Sequence, residues 1–98
     1  MTIQVYEENG TTILAPEGKI DHVTAEEFEN KINELGASND TLTIDMAGVN
    51  YVSSAALRAI LNANDLFESK GGLTLRNINK KVMEIFNITG FSNHLNIR

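Results

Sequence analysis

The chain has 98 residues, is 42% apolar and carries a net charge of −5, from 8 Lys+Arg against 13 Asp+Glu. That length gives one domain, residues 1–98, with room for a core, and the acidic balance argues against a general nucleic-acid binder, which would show a basic face. The absence of cysteine excludes disulfides and thiolate metal sites. No run approaches the ~18 apolar residues that a membrane span requires. Met1-Thr2-Ile3-Gln4-Val5 has neither the basic region nor the apolar core of a signal peptide, so a cytoplasmic protein without membrane contact is expected.

Residues Ile3 to Glu7 alternate apolar and polar, the pattern of a half-buried strand, and Asn9-Gly10 is a strong hairpin signal before a return strand over Thr11 to Ala15. Pro16 and Gly18 then interrupt the pair. Thr24-Ala25-Glu26-Glu27 has the form of a capping box with Thr24 at the N-cap. Phe28, Ile32 and Leu35 follow at helical spacing and predict a helix over about 24–35, stopped by Gly36. After a polar loop, Thr41 to Met46 is a strand with Leu42, Ile44 and Met46 facing inward. The longest helical pattern runs from Ser54 to about Lys70, with Leu57, Ile60, Leu61 and Phe67 on one face, and Gly71-Gly72 ends it. Leu73 to Arg76 is a short strand. Asn77 or Asn79 caps a third helix bearing Ile78, Val82, Ile85 and Phe86, closed by Gly90, and Leu95 to Ile97 forms a short terminal strand.

That order predicts an α/β fold: a mixed, mostly parallel sheet that opens with an antiparallel hairpin, with the single-striped helices packed mainly on one face. Acidic residues crowd the region before residue 36: Glu17, Asp21, Glu26, Glu27, Glu29 and Glu34. They read as a solvated helix face, with a surface for a basic partner as the alternative.

Catalytic chemistry finds little support. A serine nucleophile elbow wants Gly-x-Ser-x-Gly, whereas Ser54 is flanked by Val52, Ser53, Ala55 and Ala56, and both histidines, His22 and His94, fall in loops. Asp45 ends a strand as a receiver aspartate does, yet the acidic pair Glu7-Glu8 leads into a hairpin turn, so Asp45 is expected to hydrogen-bond locally. No phosphate-cradling glycine loop and no metal-ligand spacing is present. An enzyme, a cofactor and a metal are therefore not expected. What remains is Asn50-Tyr51-Val52-Ser53-Ser54-Ala55-Ala56-Leu57-Arg58, where hydroxyls sit at the start of a helix, among unpaired N–H groups that favour negative charge. One serine suffices to cap the helix; the second is free to be modified.

Gly18-Lys19-Ile20-Asp21, Thr24-Ala25 and Ile44 through Leu57 resemble the STAS domain of bacterial anti-sigma factor antagonists. The likeness extends through Gly71-Gly72-Leu73-Thr74-Leu75 and Phe86-Asn87-Ile88-Thr89-Gly90-Phe91, so it spans essentially the whole chain in order. The family's hinge pattern is Asp-Ser-Ser/Thr-Gly-Leu. Aligned without gaps, its acid falls on Ser53, its phosphoacceptor on Ser54, the next hydroxyl on Ala55 and the glycine on Ala56. The acceptor is kept; the acid and the glycine are not. Alanine is suited to position 56 if that residue is an ordinary helical one.

The resemblance implies a partner-switching regulator. Unphosphorylated, it would bind an anti-sigma factor that is itself a serine kinase. Phosphorylated on Ser54 (alternatively Ser53), it would be released, and a PP2C-type phosphatase would reset it. Asp21, Ser53, Ser54 and Arg58 are the residues expected to meet the partner. The alternative is a STAS domain that only binds, as a scaffold or accessory in signalling or transport, with both serines serving the helix end.

Overall fold

In the computed structural model, which describes residues Met1–Arg98, the opening strands are β1 (Thr2–Glu8) and β2 (Thr11–Ile20). They are turned by Asn9 and Gly10, both at positive φ (54° and 84°). This is the geometry that matches the right-handed twist of a hairpin. Their register runs unbroken from Thr2 opposite Glu17 to Glu8 opposite Thr11.

Helix α1 (Thr24–Gly36) begins differently from the capping box that the sequence suggests. Thr24 is already helical, and the side chain that satisfies the helix end belongs to Asp21. Its Oδ1 accepts the Val23 and Thr24 amides at 3.0 and 2.9 Å. A carboxylate reaches two orphan donors and suits the positive helix end better than a hydroxyl. Glu27 does not reach back to the cap; its Oε1 lies 3.2 Å from the Met1 amino group. At the other end the Lys70 ammonium donates to the Gly36 carbonyl at 2.6 Å, a cation at a helix C-terminus.

Strand β3 (Thr41–Asp45) is followed by β4 (Val49–Val52), then α2 (Ser54–Glu68), β5 (Gly72–Arg76), α3 (Lys80–Thr89), a 3-10 turn at Phe91–Asn93 and β6 (Asn96–Ile97). Met46 falls just past β3 yet is buried, as its place on the inward face requires. Asn79 rather than Asn77 caps α3, its side chain accepting the Val82 amide at 2.8 Å, and Gly90 ends that helix in the left-handed conformation. The strand order is β1-β2-β3-β5-β6, with β1 antiparallel and the rest parallel.

Strand β4 has no counterpart among the sequence expectations. It pairs in parallel with the far half of β2, Lys19 beside Tyr51 and Ile20 beside Val52, across an irregularity at Gly18. The long strand β2 therefore divides, its first half neighbouring β3 and its last residues neighbouring β4.

One cluster of buried side chains joins all three helices to one sheet face: Phe28 and Ile32 of α1, Ile60 and Phe67 of α2, Val82 and Phe86 of α3, over Leu14, Ile44 and Leu75. Burying each such side chain contributes about 1.5–3 kcal/mol. The opposite sheet face is mixed, with Ile13 buried on it beside Tyr6 and Thr43. There Arg76 is held between Glu8 (2.9 Å) and Asp45 (3.1 Å), and Asp45 also accepts the Ala47 amide, the local bond expected of it.

Candidate functional site at the start of α2

The parallel run of β2 and β4 brings their C-terminal ends together, and both lead straight into helices. The Ser53 amide donates to the Ile20 carbonyl at 2.9 Å, which ties the start of α2 to the segment that caps α1. Ser53 keeps an extended conformation (φ −86°, ψ 172°). Its hydroxyl accepts the Ala56 amide at 3.2 Å, and its carbonyl accepts the Leu57 amide at 3.0 Å. Ser53 is thus the N-cap of α2.

Ser54 is the first helical residue. It is exposed, and its hydroxyl appears in none of the side-chain hydrogen bonds that organise the surrounding turns. Ala56 is fully buried inside the first turn, an ordinary helical residue at which alanine costs nothing in backbone freedom.

The remaining site residues fall around this point. Arg58, one turn after Ser54 on the same side of the helix, is exposed and forms no ion pair. Ser54 and Arg58 together line a cleft between α1 and α2 with His22, Glu26 and Glu29. They also line a second groove, between α2 and the end of α3, with Leu57, Leu61 and Phe91. Ser54 therefore stands on a ridge with an open groove on each side.

Asp21 is placed slightly apart, in a shallow depression with Lys19, Asn50, Tyr51 and Lys81. Its carboxyl is held below the usual range, chiefly by the Thr24 amide, then by the Thr24 hydroxyl. That places it as the cap of α1, with Oδ1 engaged by the helix.

Sequence reasoning missed three neighbours. His22, read as an isolated loop residue, lies in the cleft beside Ser54. Val23 and Tyr51 are 79% and 42% exposed apolar side chains on the same end of the molecule. The signal for Tyr51 was the β-branched pair Val49 and Val52 around it, which marks a strand.

A mixed sheet with three helices on one face, and two helix N-termini meeting at the end of a divided strand, defines the class of fold. The STAS domain family model matches residues 2–98, and the chain belongs to that family. It is 36% identical over 61 residues to an anti-sigma-F factor antagonist of Mycobacterium tuberculosis, a match covering 61% of this chain. The chain spans only 50% of the length of that relative. Among solved structures it resembles an anti-sigma factor antagonist from Mycobacterium paratuberculosis (TM-score 0.89, 23% identity, 98% of this chain and 83% of that one). It also resembles the Bacillus cell-fate determinant SpoIIAA in its phosphorylated form (TM-score 0.74, 17% identity, 99% of this chain and 91% of that one).

Proposed function

We propose that this STAS domain is an anti-sigma factor antagonist that switches partners through phosphorylation of Ser54. The observation that carries the reading is the division of labour at the helix start. Ser53 caps α2, and Ser54, exposed and without a hydrogen-bond partner, has a hydroxyl to give to a kinase. The likeness to antagonists, one of them solved in a phosphorylated form, supports it.

In this reading the unmodified chain binds an anti-sigma factor over the ridge of Ser54 and its two grooves, with Asp21, Ser53 and Arg58 at the contact. That partner is also a serine kinase, and it transfers the γ-phosphoryl group of ATP to the Ser54 oxygen. A PP2C-type phosphatase hydrolyses the product. The phosphate brings about −1.5 to −2 charges to a helix N-terminus, whose dipole favours them, one turn from the unpaired Arg58. The fold tolerates the group. The docked surface does not, because a bulky dianion must be desolvated there beside Glu26 and Glu29, which share the cleft.

Affinity for the anti-sigma partner, measured by titration calorimetry, tests this. Ser54→Asp is expected to weaken binding at least about tenfold, equivalent to ~1.4 kcal/mol, while Ser54→Ala retains it. Equal affinities for Ser54→Asp and wild type would place the contact elsewhere.

A further inference from the structure

A free sheet edge, that of β1, lies on the other flank of α1. The sheet ends on one side in β6, only two residues long, a length that blunts an edge. On the other side it ends in β1, seven residues, Thr2–Glu8, without proline, lysine or a bulge.

The direction of its backbone groups follows from the hairpin. A two-residue loop makes Glu8 and Thr11 the hydrogen-bonded pair that closes it. Thr2, Gln4, Tyr6 and Glu8 therefore direct N–H and C=O toward β2, and Ile3, Val5 and Glu7 direct theirs outward, unpaired. Val5 is also 39% exposed.

Beside this edge a groove opens between β1 and α1. Its floor includes Ile3 and its far wall carries three carboxylates, Glu26, Glu27 and Glu34, against two cations: Lys31, 3.5 Å from Glu34, and the Met1 ammonium, 3.2 Å from Glu27. Glu7 projects on the same side of the sheet as Ile3 and Val5. The helical acids that the sequence left as either a solvated face or a basic partner's surface thus flank a strand with unused hydrogen bonds.

We propose that β1 accepts an extended basic segment of a partner protein as an added strand. Main-chain bonds to Ile3, Val5 and Glu7 supply affinity, and lysine or arginine side chains on one face meet Glu7 and the acids of α1. A second copy of this chain does not suit the edge, because it would lay another acidic strand and helix against the same carboxylates. The proposal does not depend on the reading of Ser54, which lies across α1 from this edge.

The test uses a capped Lys-Val-Lys-Val-Lys-Val-Lys peptide, with the Glu-Val counterpart as control, and amide hydrogen exchange of the intact chain. At about 1 mM peptide the Ile3, Val5 and Glu7 amides are expected to slow by about tenfold, while those of Gln4 and Tyr6, already bonded, do not change. Val5→Pro removes an outward N–H that the internal ladder does not use and should abolish the effect, with Gln4 and Tyr6 still protected as proof of folding. Should that variant not fold, Glu7→Lys with Glu34→Lys must weaken the Lys-Val peptide. No slowing in wild type overturns the proposal. Equal slowing by the Glu-Val peptide overturns its charge preference. Protection without peptide, together with a dimer by sedimentation, makes a second copy the occupant and overturns it as well.

Discussion

At Ser53 the hydroxyl oxygen accepts the Ala56 amide, so its removal leaves an orphan donor at the start of α2. Ser53→Ala is expected to lower stability by about 1 kcal/mol. Ser54→Ala, which removes no internal bond, should stay within about ±0.5 kcal/mol. Urea denaturation with an unchanged slope measures both. This contrast was only half legible in the sequence. Two hydroxyls at a helix start were evident, and the family resemblance proposed Ser54 as the acceptor, but which oxygen turns back to the helix depends on the extended backbone at Ser53.

Asp21 gives a prediction in pH. Its folded pKa lies below the ordinary 3.8, first through the Thr24 amide. A depressed carboxylate contributes stability that is complete above its unfolded pKa and is lost as the pH falls through the folded one. Asp21→Asn should therefore destabilise the chain at neutral pH and flatten the loss of stability below about pH 4. An unchanged acid limb would contradict the capping role.

At the scale of elements, the first turn of α2 explains why alanine serves at position 56. The residue is helical and fully buried, so Ala56→Gly is expected to destabilise by about 1 kcal/mol through backbone entropy. A neutral or stabilising result in denaturant melts would mean that the turn needs glycine's freedom.

The elements that were easy to read, the opening hairpin and the three helices, carry strong local signals: Asn9-Gly10, striped apolar faces and, for α3, Asn79 and Gly90 at its ends. Gly36, by contrast, is not the stop expected of it but the last, buried residue of α1, which Ala37 caps. Strand β4 was hidden because it is four residues long and does not alternate, Val49 and Val52 being buried and Asn50 and Tyr51 exposed. Its existence depends on β2 being long enough to serve two neighbours, a tertiary fact. The cap of α1 was misplaced for a similar reason. Thr24 satisfies the pattern of a capping box, yet Asp21, held by the end of β2, reaches the same amides first.

For the whole molecule, one continuous core lies beneath all three helices, so unfolding is expected in one cooperative transition. Phe67→Ala, at a fully buried site between α2 and the sheet, should cost about 3–5 kcal/mol in one transition. Phosphorylation, at an exposed helix start, should leave that core intact and perturb only the surface where β2, β4, α1 and α2 meet. The fold was legible because alternating strand and helix signals admit few topologies. The site was legible only in outline, since the clefts on either side of Ser54, with His22 in one and Phe91 in the other, exist only once the helices are packed. The most direct measurement is mass spectrometry after incubation with an anti-sigma factor kinase and ATP, on wild type, Ser53→Ala and Ser54→Ala. The account predicts one phosphate, on Ser54, in wild type and Ser53→Ala and none in Ser54→Ala. An unmodified wild type, or modification that survives Ser54→Ala and disappears with Ser53→Ala, would contradict it.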